Sequence, residues 1–398
     1  SLKFKVILFG FIFTFFSSFG QSYFLGLFNS SIREALSITH GQFGSIYASA
    51  TLCSSLLLIW VGKKIDDVNI FKFAFFVTIL LSFACFFFSR ITSVFLLFIA
   101  IFLMRFSGQG MMSHTASTTI SRYFTKTRGR ALSISWFGLS SAEFIMPVLM
   151  VYLLTIIDWQ NLWLIFSITV LIILPIASFL LIKNLNLDSR EDSNKDIKEV
   201  EIKQWKRVEV IKDYRFYIIS SNMLAMPWIF TGFAVFQSFI QTSKGWGPYV
   251  IAQSFMSYSI FSVLTLFLSG FLIDKFTSRK LLIYMNIPLL LSVIVLFFFD
   301  TPITAFIFLG LVGISNGFAN ILGSSTWAEL YGVKYLGSIK ALTTALMVFA
   351  TAFGTALFGF LIDIGFTVGN IAAVSGAYIF ISLILLFLVR KKLNPVII

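Results

Sequence analysis

Twelve blocks of apolar residues, each long enough to cross a bilayer as a helix, dominate this sequence. A helix needs about 20 such residues to cross roughly 30 Å of hydrocarbon, and lipid offers no partner to an unpaired backbone group, so each block must be helical. Of all residues, 58% are hydrophobic and only 12% are charged. We therefore predict an all-α integral membrane protein with twelve transmembrane helices, called spans one to twelve, near residues 5–29, 41–62, 70–89, 93–118, 131–155, 161–183, 215–241, 249–273, 280–299, 302–327, 339–363 and 368–390.

The net charge of +13 is distributed unevenly between the two sides of the predicted membrane. With the N-terminus inside, 26 of the 30 lysines and arginines fall on the inner side, three fall outside, and Arg105 lies within a span. Such an excess follows the positive-inside rule and predicts that both termini are cytoplasmic. It accounts for the charge without a nucleic-acid partner. The bias toward Lys, Ile, Asn and Phe favours a bacterial inner membrane.

A polar segment between spans six and seven divides the chain. The stretch from Lys183 to Asp213 is charged and poor in aromatic residues, as expected of a solvated linker. We predict an N-terminal six-helix half over 1–183, a cytoplasmic linker over 184–213 and a C-terminal six-helix half over 214–398. A short amphipathic helix near 202–210 is expected to lie on the membrane surface.

The two halves carry the same short motif in equivalent loops. Gly62 and Asp66 follow span two, and Gly270 and Asp274 follow span eight. A motif repeated at equivalent places indicates internal structural symmetry.

Three further segments point, together with these loops, to one family. Arg105-Phe106 with Gly108 and Gly110 forms one of them, and the other two cover residues 122–147 and 325–354. The whole set resembles the major facilitator superfamily, in particular its bacterial branch related to monocarboxylate and oxalate/formate carriers. One departure is Asp67, which stands where a basic residue is usual. The resemblance implies a twelve-helix carrier working by alternating access, with spans one, four, seven and ten around a central cavity.

Two ionisable residues lie near the middle of apolar spans, Arg105 in span four and Glu143 in span five. A charge at membrane depth is costly, so it needs a partner or a water-filled cavity. Three interpretations stay open. The two residues form a structural ion pair; or Arg105 binds a substrate carboxylate while Glu143 takes up the coupling proton; or the substrate competes with Glu143 for Arg105.

Polar side chains on the four cavity-lining spans are the other candidates for contact with a substrate. Arg105, Gln109 and Ser113 are spaced four apart, which places them on one face of an α-helix. The alternative for each buried amide is that it holds helices together in the bilayer. The predicted substrate-binding set is Arg105, Gln109, Gln21, Ser22, Asn222, Gln237, Asn316, Asn320 and Trp327.

His114 is a second candidate for proton coupling, in addition to Glu143, because imidazole titrates near neutral pH. The alternative is that His114 has no part in proton transfer and only forms a hydrogen bond with a neighbouring residue. At the cytoplasmic helix ends, charged residues of the repeated loops are expected to form a gate in one state of the transport cycle. The predicted gate comprises Asp66, Asp274, Lys275 and Arg279, with Glu329 as a further gate or salt-bridge residue.

A secondary carrier is the function that these features favour. The sequence holds no GxSxG, HExxH or phosphate-loop motif, so neither an enzyme nor ATP-driven transport is expected and no cofactor is implied. Spans eight and eleven lack a cation in their interiors, which favours a monocarboxylate or zwitterion over a dianion. We predict a monomeric, proton-coupled carrier of a small organic solute. Export of drugs or amphiphilic cations, a channel and a transporter-like receptor are the alternatives.

Overall fold

The computed structural model describes residues 2–124, 128–185, 202–332 and 335–398, with the backbone alone at 63, 66, 128, 324, 336 and 337. Across these residues the secondary structure is helical, apart from an isolated antiparallel bridge between Ile202 and Ile397. Twelve helices are long and apolar enough to cross a membrane, so the predicted number of spans is confirmed. They are Leu2–Gly20, His40–Val61, Ile70–Phe88, Val94–Tyr123, Gly129–Leu153, Trp159–Ile182, Tyr214–Val235, Val250–Phe276, Ser278–Phe298, Ile303–Tyr331, Ser338–Asp363 and Val368–Lys392.

The chain divides into two compact units, Ser1–Lys195 and Asp196–Ile398, each with six spans. The division falls inside the predicted linker, of which residues 186–201 lie outside the described part of the chain. Near the end of the linker, a short helix, Arg207–Ile211, precedes span seven. This helix lies within the region where the sequence predicts an amphipathic one.

The pairing of helices inside each unit follows one pattern. In the N-terminal unit span one packs against span five, span two against span four and span three against span six. In the C-terminal unit span seven packs against span eleven, span eight against span ten and span nine against span twelve. These are equivalent pairs under an internal repeat, which agrees with the duplicated loop motif.

Span one ends as a regular helix earlier than its predicted limit near residue 29. The α-helix Leu2–Phe16 tightens into a 3-10 turn at Ser17–Gly20, and Gln21 is extended, with φ −82° and ψ 148°. A new short helix, Ser22–Leu25, follows. An extended residue interrupts the helical hydrogen-bond ladder, so carbonyl groups of the preceding turn are left for other partners.

Span four changes its helix type at Arg105, a residue of the predicted substrate-binding set. The α-helix Val94–Met104 gives way to a π-helix at Arg105–Met112, and an α-helix resumes over Ser113–Tyr123. Hydrogen bonds of a π-helix reach one residue further along the chain than those of an α-helix, and such segments are frequent at functional sites. The change therefore marks the stretch that begins at Arg105.

Candidate functional site

Arg105 is buried at the start of the π-helical segment, with 5% of its surface exposed. Its Nη1 atom donates a hydrogen bond of 2.8 Å to the carbonyl oxygen of Gly20, at the break in span one. Its guanidinium carbon lies 5.4 Å from the ring centroid of Tyr47, within the range of a cation–π contact. The Nε atom is buried without a hydrogen-bond partner. Because a guanidinium carries five N–H donors, this one retains donors for a further acceptor.

Direct backbone contact between spans one and four fixes the position of Arg105. A Cβ atom on Gly20 would collide with the carbonyl oxygen of Met104 and lie 2.5 Å from the backbone nitrogen of Gln109. A Cβ atom on Gly108 would lie 2.7 Å from the backbone nitrogen of Gly20. Small residues allow membrane helices to cross this closely. The crossing requires glycine at both positions, and it brings Gln109 beside the break in span one.

Tyr47 of span two joins this cluster, and the sequence analysis missed it. Its hydroxyl shares a hydrogen bond of 2.7 Å with the Ser22 hydroxyl, while its ring faces Arg105. The Nε2 atom of Gln21 lies 3.5 Å from the Ser17 hydroxyl oxygen. The sequence signal that could have identified Tyr47 is that it is the single tyrosine inside the apolar sequence of span two. The structure thus gathers four residues of the predicted set around the break in span one: Gln21, Ser22, Arg105 and Gln109.

Glu143 is buried in span five, with 9% of its surface exposed. It makes no hydrogen bond or ion pair with other described residues. Its electrostatic neighbour is the hydroxyl group of Tyr23, in the short helix after the break in span one. Span five is fixed against span one by a hydrogen bond of 2.6 Å from the Thr14 hydroxyl to the Ser135 carbonyl oxygen. This crossing anchors the helix that carries Glu143.

Arg105 and Glu143 are both described and both buried, and no ion pair joins them. Arg105 contacts Gly20 and Tyr47, whereas the neighbour on which Glu143 acts is Tyr23. The structural ion pair considered from the sequence is not formed in this structure. The two side chains are therefore separate candidates for binding and for proton uptake.

His114 lies further along span four and is bound to the loop after span two. Its Nε2 atom lies 2.8 Å from the carbonyl oxygen of Gly62, and because a carbonyl only accepts, Nε2–H is the donor. The Nη1 atom of Arg122 donates to the Ile65 carbonyl oxygen at 3.2 Å. Two side chains of span four, those of His114 and Arg122, therefore bind the loop that follows span two. This geometry favours the neighbour-binding interpretation of His114 over a proton relay.

Asn222 belongs to a buried amide network in the C-terminal unit. The Nδ2 atom of Asn286 donates to the Asn222 carbonyl oxygen at 2.5 Å and to its Oδ1 atom at 3.2 Å. The Nδ2 atom of Asn222 lies 3.4 Å from the Ser382 hydroxyl oxygen. Asn286 stands where span nine is interrupted, between the helices Ser278–Met285 and Ile287–Phe298. The network connects spans seven, nine and twelve, which favours a helix-holding role for Asn222.

Gln237 lines a small apolar cavity inside the C-terminal unit, beyond the end of span seven. Its Nε2 atom donates to the Ala234 carbonyl oxygen at 2.8 Å. Phe233, Trp246 and Phe308 form aromatic walls around it. The cavity therefore suits an apolar group, with one amide at its edge.

The three candidates on span ten have different surroundings. The Nδ2 atom of Asn316 donates to the Ser262 hydroxyl oxygen at 2.8 Å, which ties span ten to span eight. Asn320 is exposed and has no hydrogen bond with other described residues. Trp327 is fully buried and stacks on Tyr331 at 5.9 Å inside the hydrophobic core of the unit. Its surroundings favour packing over contact with a solute.

The predicted gate is assembled in part in the C-terminal unit. The Nε atom of Arg279 lies 3.3 Å from the Oε2 atom of Glu329, and the Ser278 backbone N–H donates to Glu329 Oε1 at 2.9 Å. Glu329 is therefore a salt-bridge residue, one of the two roles considered for it. Asp274 and Lys275 are exposed and join no ion pair among the described residues. The side chain of Asp66 lies outside the described residues.

The chain is similar to one protein family in sequence and to solved transporter structures in fold. The profile of the Major Facilitator Superfamily matches residues 10–256, more than half of the chain. A crystal structure of a bacterial homologue of the human lysosomal transporter Spinster, inward-facing and unoccupied, is similar, with a TM-score of 0.73, 14% identity, and coverage of 99% of this chain and 98% of that one. The nucleoside transporter NupG is similar with a TM-score of 0.70, 14% identity, and 99% of both chains covered. No curated protein matches the chain.

Proposed function

The chain belongs to the Major Facilitator Superfamily, and from this premise we propose that it is a proton-coupled secondary carrier of a small monocarboxylate or zwitterion. It is an integral membrane transporter and not an enzyme. The superfamily predicted from the motifs is thereby confirmed, while the monocarboxylate branch remains a prediction. Alternating access around a midplane site is the mechanism proposed for it.

One observation supports an anionic substrate group more than any other: Arg105 is a buried cation that forms no ion pair with a carboxylate among the described residues. The Gly20 carbonyl oxygen and the Tyr47 ring orient the guanidinium but do not neutralise its charge. A guanidinium fork matches the two oxygens of a carboxylate and binds them more strongly than neutral acceptors. The role proposed for Arg105 is to bind the substrate carboxylate, with Gln21, Ser22 and Gln109 beside it.

Glu143 is the proposed site of proton uptake. It is buried and makes no ion pair with a described cation. Carboxyl groups inside membrane spans commonly serve as proton relays in transporters. In the proposed cycle Glu143 binds a proton when the substrate binds Arg105, so that the two move together. Because Glu143 and Arg105 have separate neighbours, neither residue depends on the other for its position.

The net charge proposed for the substrate follows from the number of lysines and arginines inside the predicted spans. Arg105 is the only lysine or arginine within the interior of a span near the middle of the predicted membrane. A dianion would leave one carboxylate uncompensated in a low-dielectric site. A monoanion or zwitterion avoids this cost.

A second candidate function is export of an amphiphilic cation in exchange for protons. The observation that favours it is that Glu143 is buried without an ion pair among the described residues, which makes it a possible counter-ion for a cation. In this case the cation binds Glu143 and Arg105 has no part in recognition. The two functions thus differ in which of two named residues binds the solute.

The test is uptake into proteoliposomes with and without an imposed pH gradient. Radiolabelled lactate, pyruvate, alanine, glycine betaine and oxalate serve as probes. We expect saturable accumulation of a monocarboxylate or zwitterion above its external concentration when the interior is alkaline, and none of oxalate. Binding without accumulation would indicate a receptor, and efflux of a lipophilic cation driven by the gradient would indicate the exporter.

A further inference from the structure

The end of the linker and the C-terminal tail form one surface at the predicted cytoplasmic end of the C-terminal unit. The backbone nitrogen of Lys203 donates to the Val396 carbonyl oxygen at 2.8 Å, and Ile202 pairs with Ile397 in the antiparallel bridge. The Trp205 backbone nitrogen donates to the Tyr331 carbonyl oxygen at 3.0 Å, at the end of span ten. Both segments are thus fixed to the unit by backbone hydrogen bonds.

Two arginines, the buried Arg215 and the half-buried Arg279, strengthen this attachment. The Nη1 atom of Arg215 donates to the carbonyl oxygen of Asn394 at 2.8 Å and to that of Lys392 at 3.2 Å. The Nη1 atom of Arg279 donates to the Leu393 carbonyl oxygen at 2.8 Å. The tail is therefore held against the start of span seven. Residues just before span seven and just after span twelve consequently lie close together.

Both segments also carry cations at this surface. None of them forms an ion pair with a described carboxylate, and each is exposed. The exposed cations are Lys206, Arg207, Lys212, Arg390, Lys391 and Lys392.

The acidic groups on the same surface are already occupied. The carboxylate of Asp213 is bound by Arg215 at 2.8 Å, and that of Glu209 by Lys203 at 3.0 Å. Hydrogen bonds from the Lys206 backbone and the Lys203 side chain lower the pKa of Glu209, which keeps it charged and paired. Counted over the described residues, the surface therefore carries a net excess of positive charge.

Apolar side chains stand exposed between these cations. Val208 is 65% exposed, and Ile211, Tyr214 and Tyr217 follow it at intervals of three residues and are also exposed. The Tyr217 hydroxyl donates to the Ile211 carbonyl oxygen at 2.8 Å, which joins the short helix Arg207–Ile211 to span seven. Exposed tyrosines and aliphatic residues next to a span are typical of the boundary between headgroups and acyl chains.

We propose that this surface binds the headgroup of an anionic phospholipid of the inner leaflet, with the acyl chains against Val208, Ile211 and span seven. The charges are complementary, because basic residues next to a transmembrane helix attract anionic lipid. The apolar row lies where acyl chains begin. A soluble anion would use the cations but not the apolar row. The bound lipid bridges the linker and the tail.

The experiment is native mass spectrometry of the full chain in detergent, titrated with phosphatidylglycerol or with phosphatidylcholine of the same acyl chains. We expect phosphatidylglycerol to bind at least about tenfold more tightly than phosphatidylcholine, because several cations would contact its anionic headgroup. The variant Lys206→Gln, Arg207→Gln, Lys212→Gln should remove that preference. The matched control, Lys5→Gln, Lys64→Gln, Lys72→Gln, removes three exposed cations from the N-terminal unit and should retain it.

Four results would overturn the proposal: equal affinity for the two lipids, an unchanged preference in the first triple variant, equal loss of preference in both triple variants, or binding of inorganic phosphate as tight as that of phosphatidylglycerol. The single variant Lys212→Gln is measured as well, because one exposed substitution does not threaten folding. An intermediate loss of preference in this variant supports the proposal. An unchanged preference in both Lys212→Gln and the first triple variant contradicts it.

Discussion

The Nη1 atom of Arg105 donates a hydrogen bond of 2.8 Å to the carbonyl oxygen of Gly20, a residue 85 positions earlier in the chain. The carbonyl group is available because Gln21 interrupts the helix of span one just after it. A carbonyl orients a guanidinium without cancelling its charge, so Arg105 remains a net cation in the interior of the N-terminal unit. The proposed recognition of a carboxylate follows from this arrangement.

Tyr47→Phe tests whether the Tyr47 hydroxyl positions the Arg105 site. The substitution keeps the aromatic ring over the guanidinium but removes the hydrogen bond to Ser22. Because one hydrogen bond between membrane helices is worth about 0.6 kcal/mol, we expect little change in thermal stability and a several-fold weaker binding of the substrate. Ligand-induced thermal stabilisation measures both quantities. Tyr47→Leu, which also removes the ring, should weaken binding further; equal effects of the two variants would exclude a role for the ring.

Gly108→Ala tests the crossing of spans one and four. Its new methyl group would lie 2.7 Å from the Gly20 backbone nitrogen, so the helices must separate. Overpacking of this kind costs about 1–3 kcal/mol, and we expect a lower unfolding temperature together with loss of substrate binding. Gly323→Ala is the matched control, since nothing lies within 4 Å of a Cβ atom there. If Gly108→Ala were as stable as the control, the close crossing would not be needed.

Glu143→Gln tests proton coupling. The amide has the shape of the carboxyl group but cannot titrate, so transport driven by a pH gradient should be lost. Binding and exchange of labelled for unlabelled substrate should persist, because Glu143 makes no contact with Arg105 that the substitution would break. Proton uptake on addition of substrate, recorded with a pH-sensitive dye, should fall to background. Unchanged proton uptake would place the coupling group elsewhere.

Asn222→Ala separates helix packing from solute contact in the C-terminal unit. The substitution removes the side-chain partners of Asn286 and Ser382 in a buried network, and an unpaired buried polar group costs about 1–3 kcal/mol. We expect a lower unfolding temperature with unchanged substrate affinity. Asn320→Ala, at an exposed position, should leave stability unchanged. Weaker substrate binding in Asn222→Ala would return this residue to the binding site.

The fold was predictable because its determinants are local in the sequence. The length of each apolar block sets a span, and the position of lysines and arginines sets the expected sidedness. The loop motifs at Gly62 and Gly270 revealed the internal repeat, which the equivalent helix pairs of the two units support. None of these inferences requires knowledge of which side chains meet.

The candidate site was predictable only in part, because it depends on helix rotation and on breaks in helices. The sequence identified Arg105 and Glu143 as residues inside spans, but an α-helical spacing could not indicate the π-helix that begins at Arg105. The partner of Arg105 is a backbone carbonyl group exposed by an irregular turn at Gln21, and such a partner leaves no signature in residue type. The surroundings of Trp327 were not predictable either, since this aromatic residue, which residue type made a candidate for a cavity wall, lies in a hydrophobic core.

The central claim is that Arg105 binds the substrate carboxylate, and the most direct measurement is substrate affinity in wild type, Arg105→Lys and Arg105→Gln by ligand-induced thermal stabilisation. Arg90→Gln, which removes the same side chain from an exposed position, is the control. We predict partial loss of affinity in Arg105→Lys, which keeps the charge but not the planar fork, complete loss in Arg105→Gln and none in the control. Wild-type affinity for a carboxylate substrate in a folded Arg105→Gln protein would contradict the claim.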